Sequence, residues 1–481
     1  MQSLRDRIRP YLPAIKSLWL VSLVILVGVV SYKFGFSQGS GTIITPPQML
    51  TVINPASTGE FSLFPEDSGA SVDFGNFWKT WNILDKNFVP SSTTTASTTA
   101  AQARVAGAIE GLVRSYGDPY TIFIPKEQSV AFKEQVNGEF EGIGAVLNVA
   151  DSSVIVVGLL KDSPAEKAGL KPGDRIIAVD NDPTLGKKLE DIIPHIRGPK
   201  GTTVSLTITS GKSTKESTLA VTRGTVVIPT TATRVVSAAK NIVDSIVAKT
   251  VAAAQAAAAA LPGPAHNQQL TDAKAQAAQI AKQKFFVLLL ATFAKSSVDA
   301  FVTDLTKFSH SDTKNLIIDL RNNPGGYLDT AVDLASYFLP KDTLIVSERT
   351  GSSGATSEHR SLGHELLQGA TSSRRIVVLL NRNSASASEI LAGALQDNHV
   401  AKVVGETSFG KGSVQTLVDI GDLGSLKITI ARWYTPSGKN ISHTGITPDV
   451  TVDLKDPKYA SSTDPFMDAA VETLLDDSQW K

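Results

Sequence analysis

Residues 375–397 read RIVVLLNRNSASASEILAGALQD, and their pattern passes from a strand to a helix through one short loop. The apolar, β-branched run up to Leu380 is typical of a buried strand. A polar loop of alternating serines and alanines follows it, and a helix pattern begins at Ala387. From Phe285 onward the chain repeats this alternation, with the strand patterns FFVLLL and NLIIDL separated by helix patterns. The alternation predicts an α/β core with a largely buried sheet.

Two regions with different patterns precede this core. Residues 138–225 contain short β-branched runs between turn signals such as PGD and GPKG, which predict a small β-rich module. Within it, the sequence SPAEKAGL predicts a short helix with Ser163 as its N-cap and Pro164 in its first turn. Residues 76–137 carry apolar residues at helical spacing and predict a small helical region.

An alanine-rich insertion separates the module from the core. Residues 231–283 contain two alanine runs and the turn sequence LPGP at 261–264. Apolar residues between Val235 and Val247 recur at helical spacing, so the segment predicts a helical hairpin. We expect a surface insertion without a catalytic part, and a contact surface for a partner or a second copy of the chain is the alternative.

The N-terminus combines basic residues with an apolar run. Four basic residues lie within the first sixteen positions, and apolar residues follow at 18–32. A helix over residues 17–36 spans a bilayer if its flanking lysines extend to the headgroups. Because the basic side stays in the cytoplasm, we predict a single-pass protein of a bacterial-type cell membrane whose folded body lies in the periplasm or at the outer face. A cleaved signal peptide is the alternative, but no small-x-small site follows the run.

Composition excludes several classes of function. The chain has 46 Lys+Arg and 46 Asp+Glu, so it lacks the basic excess with which a large surface binds nucleic acid. It has no cysteine, which excludes thiol nucleophiles and cysteine-ligated metals. His364 and Glu365 lack the second histidine of H-E-x-x-H, which disfavours a zinc peptidase.

The loop after Leu380 offers a candidate nucleophile. We expect a serine between a strand and a helix N-terminus to be exposed on a sharp turn, beside backbone N–H groups that stabilise a developing oxyanion. We expect Ser384 and Ser388 to make local hydrogen bonds or to cap the helix. Lys411, between two glycines in FGKG, is the candidate base, because burial lowers the pKa of a lysine and a neutral amine accepts a hydroxyl proton.

The same stretch nearly forms a phosphate-binding loop. Gly405, Gly410 and Lys411 satisfy G-x-x-x-x-G-K, but Gly412 stands where Ser or Thr would bind magnesium. A nucleotide-binding protein is therefore a weaker alternative, which a rise in thermal stability with ATP and magnesium would support.

Several motifs in one order are similar to those of the carboxyl-terminal processing peptidases, also called tail-specific proteases. The resemblance runs from Phe77 to Val452 apart from the insertion, and residues 138–225 resemble a PDZ domain. It implies a multidomain α+β protein whose peptidase core has a crotonase/ClpP-like α/β fold. The matching motifs are GLVRSYGDPYT at 111–121, DLRNNPGG at 319–326, SASASE at 384–389, FGKGSVQ at 409–415, YTPSGKNI at 434–441 and GITPDV at 445–450.

The resemblance implies a serine endopeptidase with a Ser/Lys dyad and no cofactor. The family's spacing of 25 residues between nucleophile and lysine assigns Ser386 as the nucleophile and Lys411 as the general base. Gln415 would hold the lysine amine. Because positions 411 and 415 differ by an even number, the two side chains would share one face of an extended strand. The oxyanion hole would combine the backbone N–H of Ala387 with that of Gly325 or Gly326.

In the PDZ family, a glycine-containing loop binds the C-terminal carboxylate of a peptide, which joins the sheet edge as a strand. The matching residues here are Gly142, Ile143 and Gly144, after Glu141. The expected partners are proteins or peptides with free, apolar C-termini, and a second copy of the chain or an adaptor is a further candidate. A catalytically silent PDZ-bearing scaffold is the alternative function.

These patterns and the resemblance together predict the organisation of the whole chain. The predicted segments are a cytoplasmic basic N-terminus at 1–16, a membrane anchor at 17–36, a flexible linker at 37–75, the helical region at 76–137, the PDZ domain at 138–225, the peptidase core at 226–455 with the insertion at 231–283, and a C-terminal segment at 456–481.

Overall fold

A computed structural model of the chain describes residues 73–89, 98–150, 153–210, 215–259, 263–351, 354–364, 366–367, 374–459 and 462–480. The predicted basic N-terminus, the membrane anchor at 17–36 and nearly all of the linker lie outside these ranges. Among the helices that are described, none combines the length and the apolar character needed to cross a bilayer.

The elements of the described residues follow one another along the chain. The helices are α1 (Gly75–Asn87), α2 (Thr98–Arg114), α3 (Lys126–Asn137), α4 (Pro164–Lys167), α5 (Leu189–Ile196), α6 (Lys240–Ala258), α7 (Gly263–Ile280), α8 (Ser297–Ser309), α9 (Leu328–Ala335), α10 (Ala387–Asp397) and α11 (Pro465–Leu475). The strands are β1 (Ile122–Pro125), β2 (Glu139–Gly142), β3 (Ala145–Ala150), β4 (Ser153–Leu159), β5 (Asp174–Val179), β6 (Asp182–Pro183), β7 (Thr203–Ser210), β8 (Glu216–Thr222), β9 (Gly224–Val227), β10 (Thr231–Ser237), β11 (Lys284–Leu290), β12 (Asn315–Asp319), β13 (Leu344–Thr350), β14 (Thr356–Arg360), β15 (Arg375–Leu380), β16 (Lys402–Gly405), β17 (Ser413–Asp419), β18 (Gly424–Tyr434) and β19 (Val450–Thr451).

The chain divides into two units. Of the described residues, those between 73 and 130 and those at 414–430 form the smaller unit, and the others form the larger unit. In the smaller unit, β1 pairs antiparallel with residues 424–427 of β18. The buried hydroxyl groups of Ser129 and Ser425 are hydrogen-bonded there at 2.6 Å.

Residues 138–225 of the larger unit fold as the β-rich module that the sequence predicts. Strands β3, β4, β5, β7 and β8 pair in this order, so β3 is an edge strand. Ser163 caps α4 by accepting a hydrogen bond from the Glu166 N–H, and Pro164 is the first helical residue. The predicted short helix and its cap are therefore confirmed.

The core of the larger unit is a six-stranded sheet in the order β10-β11-β12-β15-β16-β19. The last five strands are parallel, and all residues of β12 are buried. This confirms the predicted α/β core. Because the carboxyl ends of parallel strands meet at one edge of a sheet, the loops that follow β12, β15 and β16 begin side by side. These are the loops that contain NNPGG, SASAS and FGKG.

The insertion differs from its prediction at its beginning. Residues 231–237 form the antiparallel edge strand β10, in which Val235 pairs with Phe286 of β11, instead of the start of a helix. Adjacent β-branched residues favour a strand when a sheet edge is available. The helical hairpin itself is confirmed as α6 and α7. Its residues Ile242, Ile246 and Ile280 are buried in one apolar cluster with residues of the core sheet.

Candidate functional site

Ser386 has a strained backbone and lies at the start of α10. Its φ of +60° and ψ of −118° are unusual for a residue with a side chain. The Glu389 N–H donates to the carbonyl oxygen of Ser386 at 2.8 Å, and the Ser386 N–H donates to Glu389 Oε2 at 2.7 Å. The expectation of an exposed serine is wrong, because Ser386 is fully buried. Of the two roles expected for the neighbouring serines, the helix cap belongs instead to Ser386, which has Glu389 three residues after it.

The two flanking serines join their loop to the neighbouring loop after β12. Ser384 Oγ donates to the carbonyl oxygen of Leu320 at 2.9 Å, and Ser388 Oγ donates to that of Asn323 at 3.0 Å. Both side chains are fully buried. Their hydroxyl groups thus bind backbone, which agrees with the structural role expected for them.

The NNPGG loop lies directly against the serine. Gly325 has φ of +100°, and a Cβ added there would lie 2.7 Å from Ser386 Cβ and 3.0 Å from Ala387 N. Its N–H donates to Asn323 Oδ1 at 2.9 Å. Gly326, with φ of +154°, follows it. Only glycine allows the two loops to approach this closely.

Both glycines beside Lys411 permit close packing. Gly410 has φ of +87°, and a Cβ there would lie 2.9 Å from Gly445 N. A Cβ on Gly412 would lie 2.6 Å from Ser442 Oγ. The FGKG loop therefore packs against the segment that contains the YTPSGKNI and GITPDV motifs, and the Lys411 side chain is only 1% exposed.

Two expectations about this loop are corrected. Strand β17 begins at Ser413, so Lys411 precedes the strand and the even spacing to Gln415 does not place both side chains on one strand face. A phosphate-binding loop also requires a helix after its lysine, whereas a strand follows here. The alternative of a nucleotide site at Gly405 to Lys411 therefore loses its support.

Glu389 is the group that links the candidate nucleophile to the candidate base. Its Oε2 accepts the N–H of Ser386 at 2.7 Å and that of Lys411 at 3.0 Å. Its Oε1 accepts the Ser408 hydroxyl at 2.6 Å and the Gly410 N–H at 2.7 Å. Burial raises the pKa of Glu389 above its ordinary value, although these hydrogen bonds act in the opposite direction. This role of Glu389 was not predicted, although the S-x-x-E capping pattern is a local signal for it.

In the smaller unit, Gln415 is fully buried, and its Nε2 donates to Thr429 Oγ1 at 3.3 Å. Lys427, on the same strand as Thr429, is also buried. Burial lowers the pKa of Lys427 to about 8, with an opposing effect from Asp118. The burial of Lys427 was not predicted, because nothing in its local sequence pattern distinguishes it from a surface lysine.

In the β-rich module, the loop expected to bind a peptide carboxylate is held by hydrogen bonds to other residues of the module. The carbonyl oxygen of Ile143 accepts the Ala165 N–H at 2.8 Å, and that of Gly144 accepts the Leu160 N–H at 2.9 Å. Gly144 has φ of +75°, and a Cβ there would lie 2.5 Å from Ser163 Cβ. The loop leads from Gly142 directly into the edge strand β3.

Residues 284–452 match the model of peptidase family S41, and residues 155–209 match the PDZ domain model. Ser386 and Lys411 both lie within the segment that matches the S41 model.

Relatives and solved structures with similar sequences are named as proteases. The chain is 31% identical over 361 residues to the carboxy-terminal processing protease CtpB of Bacillus subtilis, a match that covers 74% of this chain and 64% of CtpB. It is 32% identical over 362 residues to a probable CtpA-like serine protease of Staphylococcus haemolyticus, covering 74% of this chain and 60% of that protein. The chain thus spans less than two thirds of the length of these curated relatives. A solved structure named photosystem II D1 C-terminal processing protease is 27% identical, with 84% of this chain and 97% of that chain covered and a TM-score of 0.42.

We predict that Glu389→Gln destabilises the larger unit. The amide group of Gln would turn N–H groups toward at least two of the four donors that Glu389 now accepts, and would leave them without an acceptor. Buried donors without partners cost about 1–3 kcal/mol each, so we expect the free energy of unfolding to fall by about 2–5 kcal/mol. Denaturant unfolding followed by circular dichroism measures this change.

The matched control is Glu358→Gln, which alters a half-exposed carboxylate paired with Arg360. We expect this variant to change the free energy of unfolding by less than about 1 kcal/mol. Equal stability of the Glu389→Gln and Glu358→Gln variants would contradict the structural role of Glu389.

Proposed function

We propose that this chain is a membrane-anchored serine endopeptidase that recognises the C-terminal tails of proteins through its PDZ domain. In this proposal Ser386 is the nucleophile, Lys411 is the general base and Gln415 holds the lysine amine. The observation that carries it is the pair of hydrogen bonds from the N–H groups of Ser386 and Lys411 to a single oxygen of Glu389. The match of residues 284–452 to the S41 model and the names of the relatives support the same reaction class.

The proposed reaction is acyl transfer through the serine. Ser386 Oγ attacks the peptide carbonyl carbon while the neutral amine of Lys411 takes the hydroxyl proton. The tetrahedral intermediate then collapses, and the lysine gives the proton to the leaving amine. Water, deprotonated by the same amine, hydrolyses the acyl-enzyme and regenerates the serine hydroxyl. The deep burial of Lys411 supports this role, because burial disfavours the charged form of an amine.

We propose that backbone N–H groups stabilise the oxyanion. Ala387 N–H is one donor, since Ala387 is the first residue of α10 and helix N-termini stabilise negative charge. Gly325 N–H already donates to Asn323 Oδ1, which favours Gly326 as the second donor. The role of Gly325 is then to let the two loops approach closely, because it has no Cβ.

Substrate recruitment is proposed at the loop of Gly142, Ile143 and Gly144. A free C-terminal carboxylate would accept N–H groups of this loop, and the peptide would pair with the edge strand β3. The carbonyl oxygens of Ile143 and Gly144 bond to N–H groups of the module, which supports a fixed loop conformation before any peptide binds.

Membrane attachment is part of the proposal. The basic residues before the apolar run at 18–32 support an N-terminal anchor with its basic side in the cytoplasm. The peptidase core would then act outside the cytoplasm, on substrates of the envelope or the outer face.

We predict that Ser386→Ala and Lys411→Ala each abolish cleavage of an unstructured substrate with an apolar C-terminus. The first variant lacks the nucleophile and the second lacks the base, so turnover should fall by at least about 10³-fold. Mass spectrometry of the products over time measures this loss. Lys402→Ala, which changes a partly exposed lysine, is the control and should retain wild-type turnover. Wild-type turnover by either dyad variant would refute the assignment.

We predict that tail binding depends on the free carboxylate and on Gly144. With the Ser386→Ala protein, a peptide with a free C-terminus should bind about 10-fold or more tightly than its amidated form, as measured by calorimetry. Gly144→Ala should weaken binding of the free peptide, because the new Cβ meets Ser163 and displaces the loop.

Gly186→Ala is the matched control for Gly144→Ala, since Gly186 has a similar φ of +74° but no atom within 4 Å of an added Cβ. It should bind as wild type does. Equal affinity for the free and amidated peptides would contradict the proposed binding of the C-terminal carboxylate by the PDZ domain. Tail binding without any cleavage by the wild-type protein would favour the alternative function as a scaffold.

A further inference from the structure

The loop that follows β11 lies against the NNPGG loop within the larger unit. The Phe293 N–H donates to the carbonyl oxygen of Gly325 at 2.9 Å, and the Tyr327 N–H donates to that of Phe293 at 2.8 Å. A Cβ on Gly326 would lie 2.3 Å from the carbonyl oxygen of Phe293, so only glycine fits there. Because β11 is parallel to β12, the loop after β11 begins at the same edge of the sheet as the NNPGG loop.

A side chain of this loop binds the same carbonyl group. The Thr292 hydroxyl donates to the carbonyl oxygen of Gly325 at 3.0 Å. The carbonyl oxygen of Thr292 in turn accepts the hydroxyl of the fully buried Ser297 at 2.8 Å, which fixes the backbone at Thr292. The Gly325 carbonyl oxygen thus accepts one backbone donor and one side-chain donor, and the proposed reaction does not otherwise use Thr292.

These two bonds set the direction of the Gly326 N–H. The carbonyl group of Gly325 and the N–H of Gly326 belong to one planar trans peptide unit, so they point in opposite directions. Because the carbonyl oxygen faces Thr292 and Phe293, the N–H points away from both. Gly326 is buried, and within the part of the chain that the structure describes no residue accepts a hydrogen bond from its N–H. Buried N–H groups without a partner are rare, which is consistent with a donor that serves a ligand.

The peptide unit between Gly325 and Gly326 has little intrinsic preference for this orientation. Its plane turns through the ψ of Gly325 and the φ of Gly326, and neither residue has a Cβ that would hinder the rotation. A reversed peptide unit would put the carbonyl oxygen in place of the N–H and would repel a developing oxyanion. Hydrogen bonds to the carbonyl oxygen oppose this reversal, and they also polarise the peptide unit and make its N–H a stronger donor.

We propose that Thr292 is a positioning residue, whose hydrogen bond to the Gly325 carbonyl oxygen holds the Gly325–Gly326 peptide unit with its N–H directed to the oxyanion. The inference rests on the proposed function, in which the Gly326 N–H is the second oxyanion donor. Thr292 acts only through this peptide unit and does not contact the substrate. It also lies outside the motifs on which the sequence resemblance depends.

Three variants separate this role of Thr292 from a general effect on the fold. Thr292→Val removes the hydroxyl and retains the branched shape, and the Phe293 N–H still binds the Gly325 carbonyl oxygen. Thr292→Ser retains the hydroxyl. Thr306→Val is the matched control, because it removes another half-buried threonine hydroxyl, one that donates to the carbonyl oxygen of Val302 at 2.7 Å in α8.

Cleavage kinetics give the first measurement. Loss of a whole oxyanion donor lowers kcat by about 10²- to 10³-fold, and here the donor remains but is correctly oriented for less of the time. We therefore expect Thr292→Val to lower kcat by about 10-fold with KM within about 2-fold of wild type, and Thr292→Ser and Thr306→Val to keep both constants within about 2-fold. A peptide aldehyde, whose tetrahedral adduct with Ser386 places an oxygen at the oxyanion position, should inhibit Thr292→Val about 10-fold less strongly. Wild-type kcat in Thr292→Val, or an equal loss in Thr306→Val, would overturn the inference.

A second measurement does not depend on cleavage. The sequence contains a single Gly-Gly pair, at 325–326. A protein labelled with ¹³C at the glycine carbonyl carbon and with ¹⁵N at the glycine nitrogen therefore gives one peak in an NMR spectrum that correlates each amide with the preceding carbonyl. We expect the carbonyl resonance of this peak to move upfield in Thr292→Val, because the carbonyl loses a hydrogen bond, and to keep its position in Thr292→Ser and Thr306→Val.

The two measurements distinguish failure of the inference from failure of the proposed function. An unchanged carbonyl resonance in Thr292→Val would overturn the inference whether or not the protein cleaves substrate. An upfield shift in Thr292→Val, together with a wild-type protein that cleaves nothing, would support the orientation of the peptide unit by Thr292 and reject the proposed function.

Discussion

The hydrogen bonds of the Glu389 carboxylate determine the geometry of the candidate site. A fully buried carboxylate is costly unless its oxygens are satisfied, and here each oxygen accepts two donors. One oxygen joins the backbone of Ser386 to that of Lys411, although these residues follow different strands of the sheet. The strained backbone of Ser386 persists because this carboxylate and the helix that it caps hold it in place. The cap of α10, Ser386 and the FGKG loop therefore depend on one another for their positions.

The sheet brings these loops close enough for one side chain to join them. In a parallel sheet, the loops that follow neighbouring strands begin at the same edge, so the segments after β12, β15 and β16 are neighbours in space. Glycines then let the backbones touch, as Gly325 does beside Ser386 and Gly410 beside Gly445. Glu389 completes the arrangement with directional hydrogen bonds. The fold brings the two loops close together, and the hydrogen bonds of the buried carboxylate fix the backbone of one loop relative to that of the other.

Local patterns made much of this predictable. The strand, loop and helix at 375–397, the alternation of the core and the capped helix at Ser163 all follow from periodicity and capping chemistry that act within a few residues. Resemblance to a family then selected Ser386 among three similar serines. The predictions that were wrong concern residues whose structure depends on partners distant in the sequence. Val235 lies in a strand because the edge of β11 is available, and Lys411 lies before β17 because its flanking glycines pack against residues 440–445. The bonds of Glu389 to Lys411 and of Gln415 to Thr429 also depend on such partners.

The central claim is that Glu389 holds Ser386 in a reactive position beside Lys411. A peptidyl β-lactone acylates a serine that is activated as a nucleophile, and peptide mass spectrometry identifies the modified residue and the rate of its modification. The account predicts that Ser386 is acylated in the wild type, that Glu358→Gln reacts at the same rate, and that the folded fraction of Glu389→Gln reacts at least about 100-fold more slowly. Acylation of Glu389→Gln at the wild-type rate, or of a different serine in the wild type, would contradict it.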